Sequence, residues 1–204
     1  MSDLSSSVPS VPIVIFASGR GSNAAAIIRY FKANGKAHIA LIVCNKATAG
    51  VLDIARQNNI PYLLIDRESF ETPAFLAALS TYQPAWIVLA GFLWKVPASV
   101  LAAFPGKVIN IHPALLPKYG GKGMYGTYVH QAVIDASEKH SGITIHLANE
   151  HYDEGDVLLQ ASCLLGPGET SESLAAKIAG LEHYYLPRTL EYLIQSNNEN
   201  TQAF

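Results

Sequence analysis

Three groups of residues in this chain have types and spacings that could do chemistry. The first is Asn110-Ile111-His112-Pro113, inside the run Val108 to Pro117 (VINIHPALLP). Alternation along a strand puts Asn110 and His112 on one face and Ile109 and Ile111 on the other. Pro113 holds His112 extended and ends the strand there, because proline cannot continue a central strand. An amide and an imidazole then share the C-terminal tip of a strand, the edge where open parallel sheets bind ligands. The second group is Ser18-Gly19-Arg20-Gly21-Ser22-Asn23, a glycine-rich turn from strand to helix. Glycines let the backbone approach an anion, which the free N–H groups and the helix dipole stabilise. The third is the acidic loop Asn149 to Asp156 (NEHYDEGD). If Asp153 folds over the tip carrying His112, its carboxylate favours the protonated imidazole and fixes its orientation. An oxyanion stabiliser or general acid needs such a group.

Each group also has a purely structural explanation. Asn110 and His112 could merely finish a strand, Ser22 or Asn23 could merely cap a helix, and an acidic loop is most often just solvated. Residues 19–24 fit G-x-G-x-x-G/A, but a dinucleotide site also wants an acid at the tip of the second strand. That tip reads Cys44-Asn45-Lys46, which counts against NAD and leaves only Lys46 for a 2′-phosphate. No Gly-Lys pair is followed by Ser or Thr, so a P-loop is excluded. The simpler reading is a site for one phosphate at Gly21, Ser22 and Asn23. The acidic loop has neither EF-hand spacing nor an H-E-x-x-H pair, so no metal is expected there. His146 falls within a strand and reads as a supporting group. His38, His130, His140, His151 and His183 read as surface or packing residues.

The elements that must position these groups alternate. Apolar runs at Val11 to Ala17, His38 to Cys44, Pro61 to Ile65, Ala85 to Ala90 and Lys107 to His112 read as buried strands. Helical spacing lies between them: from the glycine loop to Asn34, then Gly50 to Asn58, Phe70 to Tyr82 and Ala98 to Phe104. In the third of these, Phe70, Ala74, Ala77, Ala78 and Tyr82 share a face. After the glycine-rich stretch Leu116 to Gly126, a helix is expected over Thr127 to Lys139, then strands at Gly142 to Ala148 and Val157 to Leu165. A long helix follows from Ser171, its expected N-cap, to Ile194, with a kink or break at Pro187. The pattern predicts a Rossmann-like α/β fold, a mostly parallel twisted sheet with helices on both faces. Residues 11–194 would form one domain, residues 1–10 a loose arm and residues 195–204 a frayed polar tail.

Composition narrows the function classes. Of 204 residues half are apolar and 15% charged, which fits a compact fold and not disorder. A formal charge of −2 argues against nucleic acid as the main partner. Every apolar stretch is interrupted before it reaches the length of a membrane span. Met1 to Pro12 has no Lys or Arg and no apolar signal core, so the cytoplasm is the expected compartment. Cys44 and Cys163 form no C-x-x-C pair, so neither a disulfide scaffold nor a cysteine zinc site is expected.

Taken in order, the motifs match a known family. SGRGSN (18–23), LAGF (89–92), INIHPALLPKYGG (109–121), HSGITIH (140–146), Asp153 with Gly155, and Glu182-His183 together strongly resemble the phosphoribosylglycinamide formyltransferases, folate-dependent enzymes of purine synthesis. The resemblance spans residues 11–194. It implies that the amine of glycinamide ribonucleotide attacks the formyl carbon of 10-formyltetrahydrofolate, the formyl donor, with no metal. By the same resemblance, Asn110, His112 and Asp153 would be catalytic, Asn110 and His112 at the formyl oxygen and Asp153 raising the histidine's pKa. Gly21, Ser22 and Asn23 would hold the phosphate, and Glu182 would sit near the glycinamide. Leu93, Trp94, Lys95 and Val96 would line the folate site with Asn110, Asn149, Glu150, His151, Tyr152 and Asp153. Partners would be these small molecules alone, with no nucleic acid or membrane, and the protein would be a monomer or homodimer. The chain departs from the common pattern at Gly121-Lys122-Gly123-Met124-Tyr125, where many members carry G-x-H-x-H. It also departs at Asp153-Glu154-Gly155-Asp156, usually D-G-G-P, and at Trp94-Lys95, usually Arg-Ile. The closest rival is formyltetrahydrofolate hydrolase, with water as nucleophile but usually an extra N-terminal domain. A transfer-RNA formyltransferase, normally with a C-terminal domain and a basic surface, a silent Rossmann-type binding module and an NADP-dependent oxidoreductase rank lower.

Overall fold

The structure is a computed structural model that describes residues 10–202, with side chains through residue 196. The expected arm, save Ser10, lies outside the described residues.

Seven strands form one sheet in the order β3-β2-β1-β4-β5-β6-β7. They are β1 (Val11–Ala17), β2 (Ala37–Cys44), β3 (Tyr62–Leu64), β4 (Trp86–Leu89), β5 (Val108–His112), β6 (His140–Leu147) and β7 (Val157–Leu164). The helices are α1 (Ser22–Asn34), α2 (Val51–Gln57), α3 (Arg67–Phe70), α4 (Pro73–Ser80), α5 (Ala98–Ala103), α6 (Thr127–Asp135) and α7 (Ser171–Gln202). Strands β1 to β5 pair in parallel, whereas β6 and β7 are antiparallel. The mostly parallel sheet expected from the continuous apolar runs is therefore present. Successive strand residues feed opposite faces. Ile13, Ile15 and Ala17 pack with α1, α2 and α7, while Val14 and Phe16 pack with α3, α4 and α5.

This order places the site. The chain builds outward from β1 to β3, then returns to the other side of β1 with β4. The reversal of strand order between β1 and β4 is where such sheets bind ligands, in a crevice beyond the carboxyl ends of the strands. The antiparallel return of β6 sets His146 opposite Asn110 and Thr144 opposite His112. Thr144 then fixes the loop after His112: its hydroxyl donates to the Ala114 carbonyl at 2.7 Å and accepts from the Leu116 N–H at 3.0 Å.

Three local expectations change. The single helix over 70–82 is two, because Thr72 caps and Pro73 starts a new helix at its first position. Phe75 and Leu79 turn inward, while Ala74, Ala77 and Ala78 are exposed. The N-cap of α7 is Thr170, not Ser171: Thr170 Oγ1 accepts from the Ser173 N–H at 3.2 Å, and Ser173 Oγ accepts from the Thr170 N–H at 3.0 Å. Finally, α7 runs through Pro187 without a break and continues past Ile194 to Gln202, so residues 195–202 are helical where a frayed end was expected, and 203–204 lie outside the described residues. Leu186, Thr189, Leu190 and Ile194 bury one face of that last stretch, and tertiary packing holds the helix where local propensity alone would end it.

Candidate active site

A cavity of about 730 Å³ opens at the crevice. One end is the β1–α1 turn. Gly21 takes a left-handed φ of +82°, and a Cβ there would lie 2.8 Å from Val51 Cβ and 2.9 Å from Ile54 Cδ1. The turn therefore needs glycine both for its conformation and for the close approach of α2. Gly21 is itself the N-cap residue of α1 with no side-chain cap, so Ser22 and Asn23 are not spent on capping. The Ser18 N–H donates to the Gly91 carbonyl and its hydroxyl accepts from the Leu93 N–H, which ties this turn to the loop after β4. Arg20 and Lys46 also line this part of the cavity.

Asn23 leads to the far wall. Its Nδ2 donates to Glu182 Oε2 on α7 at 3.0 Å, 159 residues away in sequence. Burial pushes the Glu182 carboxyl up to about 7, a rise that the Asn23 bond opposes without cancelling. The group lines the cavity and gains or loses a proton near neutrality.

At the tip of β5 the three residues Asn110, His112 and Asp153 meet. Asp153 Oδ2 is 3.4 Å from His112 Nδ1 and accepts from the Gly121 N–H at 2.9 Å. Its Oδ1 accepts from Asn110 Nδ2 at 3.2 Å and lies 3.6 Å from His146 Nε2. Burial alone would raise this carboxyl, but its contacts with His146 and His112 and the bond from the Gly121 N–H outweigh it and hold Asp153 below the usual carboxylate range. His146 Nδ1 donates to the Leu147 carbonyl at 2.8 Å, which leaves Nε2 to accept from Asn110 Nδ2 at 3.0 Å. Both hydrogens of the Asn110 amide are therefore engaged, one by His146 and one by Asp153.

His112 corrects one expectation. Asp153 was expected to raise its pKa, yet the pKa lies below the ordinary histidine value, because burial of the ring outweighs Asp153 and the Tyr119 carbonyl, which both pull upward. The Nε2–H donates to that carbonyl at 2.7 Å. Both ring nitrogens thus face oxygen acceptors in a site that resists charge. A proton on His112 satisfies the two acceptors at once, but needs further negative charge nearby to offset desolvation.

Leu93, Trp94, Lys95, Val96, Asn149, His151 and Tyr152 line the same cavity, and the exposed Glu150 does not. Sequence reasoning missed Arg67, which reaches the cavity from α3, and the wall formed by Gly121 to Gly126, where Gly123 and Tyr125 stand in place of the common histidines. It also missed His130. That residue is buried on α6 and lines the cavity, and burial lowers its pKa. Its position between Val129 and Gln131 carried no signal, since a histidine facing a cavity and one facing a core look the same on a helix. Among the described residues no group of three or more His, Cys, Asp or Glu is arranged to hold a metal. Among the same residues no helix is long and apolar enough to cross a membrane.

Comparison with known proteins shows the family to which the fold belongs. The chain is 38% identical over 180 residues to the chloroplastic phosphoribosylglycinamide formyltransferase of Arabidopsis thaliana, covering 84% of this chain and 61% of that protein. It spans about three-fifths of that relative's length. It is 33% identical over 195 residues to phosphoribosylglycinamide formyltransferase of Bacillus subtilis, covering 93% of this chain and 97% of that one. The crystal structure of phosphoribosylglycinamide formyltransferase from Brucella melitensis superposes with a TM-score of 0.81 at 37% identity, covering 91% of this chain and 96% of that chain. The formyl transferase pattern itself matches residues 11–190, from the first strand into the last helix, and the chain belongs to the formyl transferase family.

Proposed function

We propose that this chain transfers the formyl group of 10-formyltetrahydrofolate to the amine of glycinamide ribonucleotide, a step of purine biosynthesis. The observation that carries the reading is the meeting of Asn110, His112 and Asp153 in one cavity with an anion-binding turn at Gly21 to Asn23. A phosphorylated amine and a formyl donor both fit that arrangement, and the similar proteins carry the name of this activity.

In this reading the phosphate sits on the Gly21, Ser22 and Asn23 turn, with the amine directed past Glu182 toward β5. The amine nitrogen attacks the formyl carbon. A C–N bond forms, the carbonyl pair moves to oxygen, and the tetrahedral intermediate collapses by breaking the carbon bond to N10 of the folate. The proton lost by the amine is delivered to N10, so tetrahydrofolate leaves neutral at that atom. Asn110 exchanges its longer bond, the one to Asp153, for the formyl oxygen. The negative charge growing on that oxygen then supplies what the buried His112 lacks, so the imidazole takes up the amine's proton, is the cation while the intermediate lasts, and gives the proton on toward N10 as the intermediate collapses. Asp153 and the Tyr119 carbonyl hold that cation in place. His146 keeps the Asn110 amide oriented from behind. The folate packs along Leu93 to Val96 and the 149–153 loop. We also assign the chain to the cytoplasm, on its two unpaired cysteines and its composition.

The test is an amine-dependent assay. Purified protein with both substrates should release tetrahydrofolate, and omitting glycinamide ribonucleotide should abolish the release. Equal release without the amine would make water the nucleophile and the chain a hydrolase.

A further inference from the structure

The loop after β4 carries an aromatic residue packed against two other rings and a guanidinium. Trp94 is half-buried and lines the cavity. The Arg67 guanidinium lies 4.4 Å from its ring centroid, a cation–π contact. Phe70 packs at 5.8 Å and 49°, and Phe92 at 6.2 Å and 64°. Those two rings rest in turn on Phe16, which is fully buried, at 6.3 and 5.3 Å. The indole is thus anchored to the core of the sheet and backed by a cation, yet it is held at the cavity instead of inside the core.

We propose that Trp94 is the wall on which the benzoyl ring of the folate donor stacks, so that this ring as well as the pterin sets donor affinity. The inference rests on the formyl-donor reading above. A folate has three parts with different needs. The pterin edge needs hydrogen-bond partners, and the glutamate needs cations or water. The benzoyl ring between them has no hydrogen-bonding edge and gains from a flat apolar partner. Trp94 sits where such a partner is needed. The polar site of Asn110 and Asp153 and the exposed cations Arg67 and Lys95 line the same cavity as the indole. The Gly21 to Asn23 turn and Glu182 belong to the other substrate, so Trp94 affects the donor and leaves the phosphorylated amine alone.

The experiment measures equilibrium binding by calorimetry, with tetrahydrofolate, 6-methyltetrahydropterin and glycinamide ribonucleotide as separate probes. The proteins are wild type, Trp94→Leu and Trp94→Phe. Trp94→Leu should weaken tetrahydrofolate about tenfold and Trp94→Phe no more than about threefold, because a phenyl ring retains stacking. Binding of 6-methyltetrahydropterin, which has no benzoyl ring, should be equal in all three. Glycinamide ribonucleotide should also bind equally, which shows that the variants fold. The chain has two tryptophans, and the other, Trp86, is 4% exposed, so quenching of wild-type fluorescence by tetrahydrofolate reports Trp94. Equal tetrahydrofolate affinity in wild type and Trp94→Leu would overturn the proposal, as would equal loss of tetrahydrofolate and the bare pterin. Failure of wild type itself to bind tetrahydrofolate would instead overturn the donor reading on which it rests.

Discussion

The turn after β1 and the acidic loop after β6 reach the same cavity by opposite means. In the first, the main chain does the work. Gly21 is confined by Val51 and Ile54, its left-handed φ exposes the N–H groups that open α1, and Ser22 is exposed to the cavity. In the second, one side chain does the work and the main chain only aims it. Asp153 takes a φ of +60°, unusual for a residue with a Cβ and costing about 1 kcal/mol. Its carboxylate offsets that cost by engaging Asn110, His112 and the Gly121 N–H. Two residues on, Gly155 passes so close to β6 that a Cβ would lie 1.7 Å from the Leu147 carbonyl oxygen. A main-chain site tolerates side-chain change in its chemistry, whereas a site resting on one carboxylate does not.

The sharpest break of that contrast is at the carboxylate. Asp153→Asn and His112→Ala should each lower turnover about a hundredfold or more, the scale of acid–base groups, with substrate binding largely kept. Steady-state kinetics at saturating substrates decides it, and a mild loss in both would remove their catalytic roles. Next comes the support. Gly155→Ala should cost about 3 kcal/mol of folding stability, because the Leu147 carbonyl is backbone and cannot step aside. Gly19→Ala, with nothing within 4 Å of the added carbon, should stay within about 0.5 kcal/mol. Denaturant unfolding of the two variants compares them directly.

What the sequence revealed follows the same division. The N-x-H-P tip was legible because proline and strand alternation dictate it locally, and the Gly19 to Asn23 turn because glycine marks a conformation. The partner Asp153 was legible only as a condition, that its loop fold over the tip, and it took the resemblance to single it out, since its approach to His112 crosses 41 positions and depends on β6 pairing with β5. The low pKa of His112 was invisible for a related reason: a neighbouring carboxylate can be guessed from a motif, but the depth of burial that opposes it depends on the whole fold. Pro187 misled in the other direction. Proline normally ends a helix, yet the apolar face of α7 on either side of it is buried against the rest of the domain. The break at Thr72-Pro73 was readable in principle, as a capping threonine followed by proline, but the apolar spacing of Phe70 to Tyr82 obscured it.

Glu182, the partner of Asn23 on α7, gives an effect that depends on pH. Its carboxyl titrates near 7 in the folded protein and near the ordinary 4.5 when unfolded. A raised acid binds its proton more tightly when folded, so its contribution to stability is complete below pH 4.5 and is lost as pH rises through 7. Glu182→Gln keeps the shape and an acceptor for Asn23 but removes the titration. The variant should therefore gain on wild type by about 2 kcal/mol between pH 5 and 7. Parallel unfolding curves across that range would return Glu182 to an ordinary pKa.

The smallest effect tests the main-chain site itself. If the phosphate is held chiefly by N–H groups at the start of α1, the Ser22 hydroxyl adds one hydrogen bond among several. Ser22→Ala should raise KM for glycinamide ribonucleotide about tenfold, with kcat changed less than about twofold, since the lost contact is equal in ground and transition states. Asn23→Ala is the less clean variant, because it also strips Glu182 of its partner. The dephosphorylated substrate supplies the control. Wild type and Ser22→Ala should bind it equally and weakly, because neither has a phosphate to hold. If Ser22→Ala lowers kcat as strongly as Asp153→Asn while leaving KM alone, the turn serves the chemistry instead of the anchor, and the division of labour between the two loops fails.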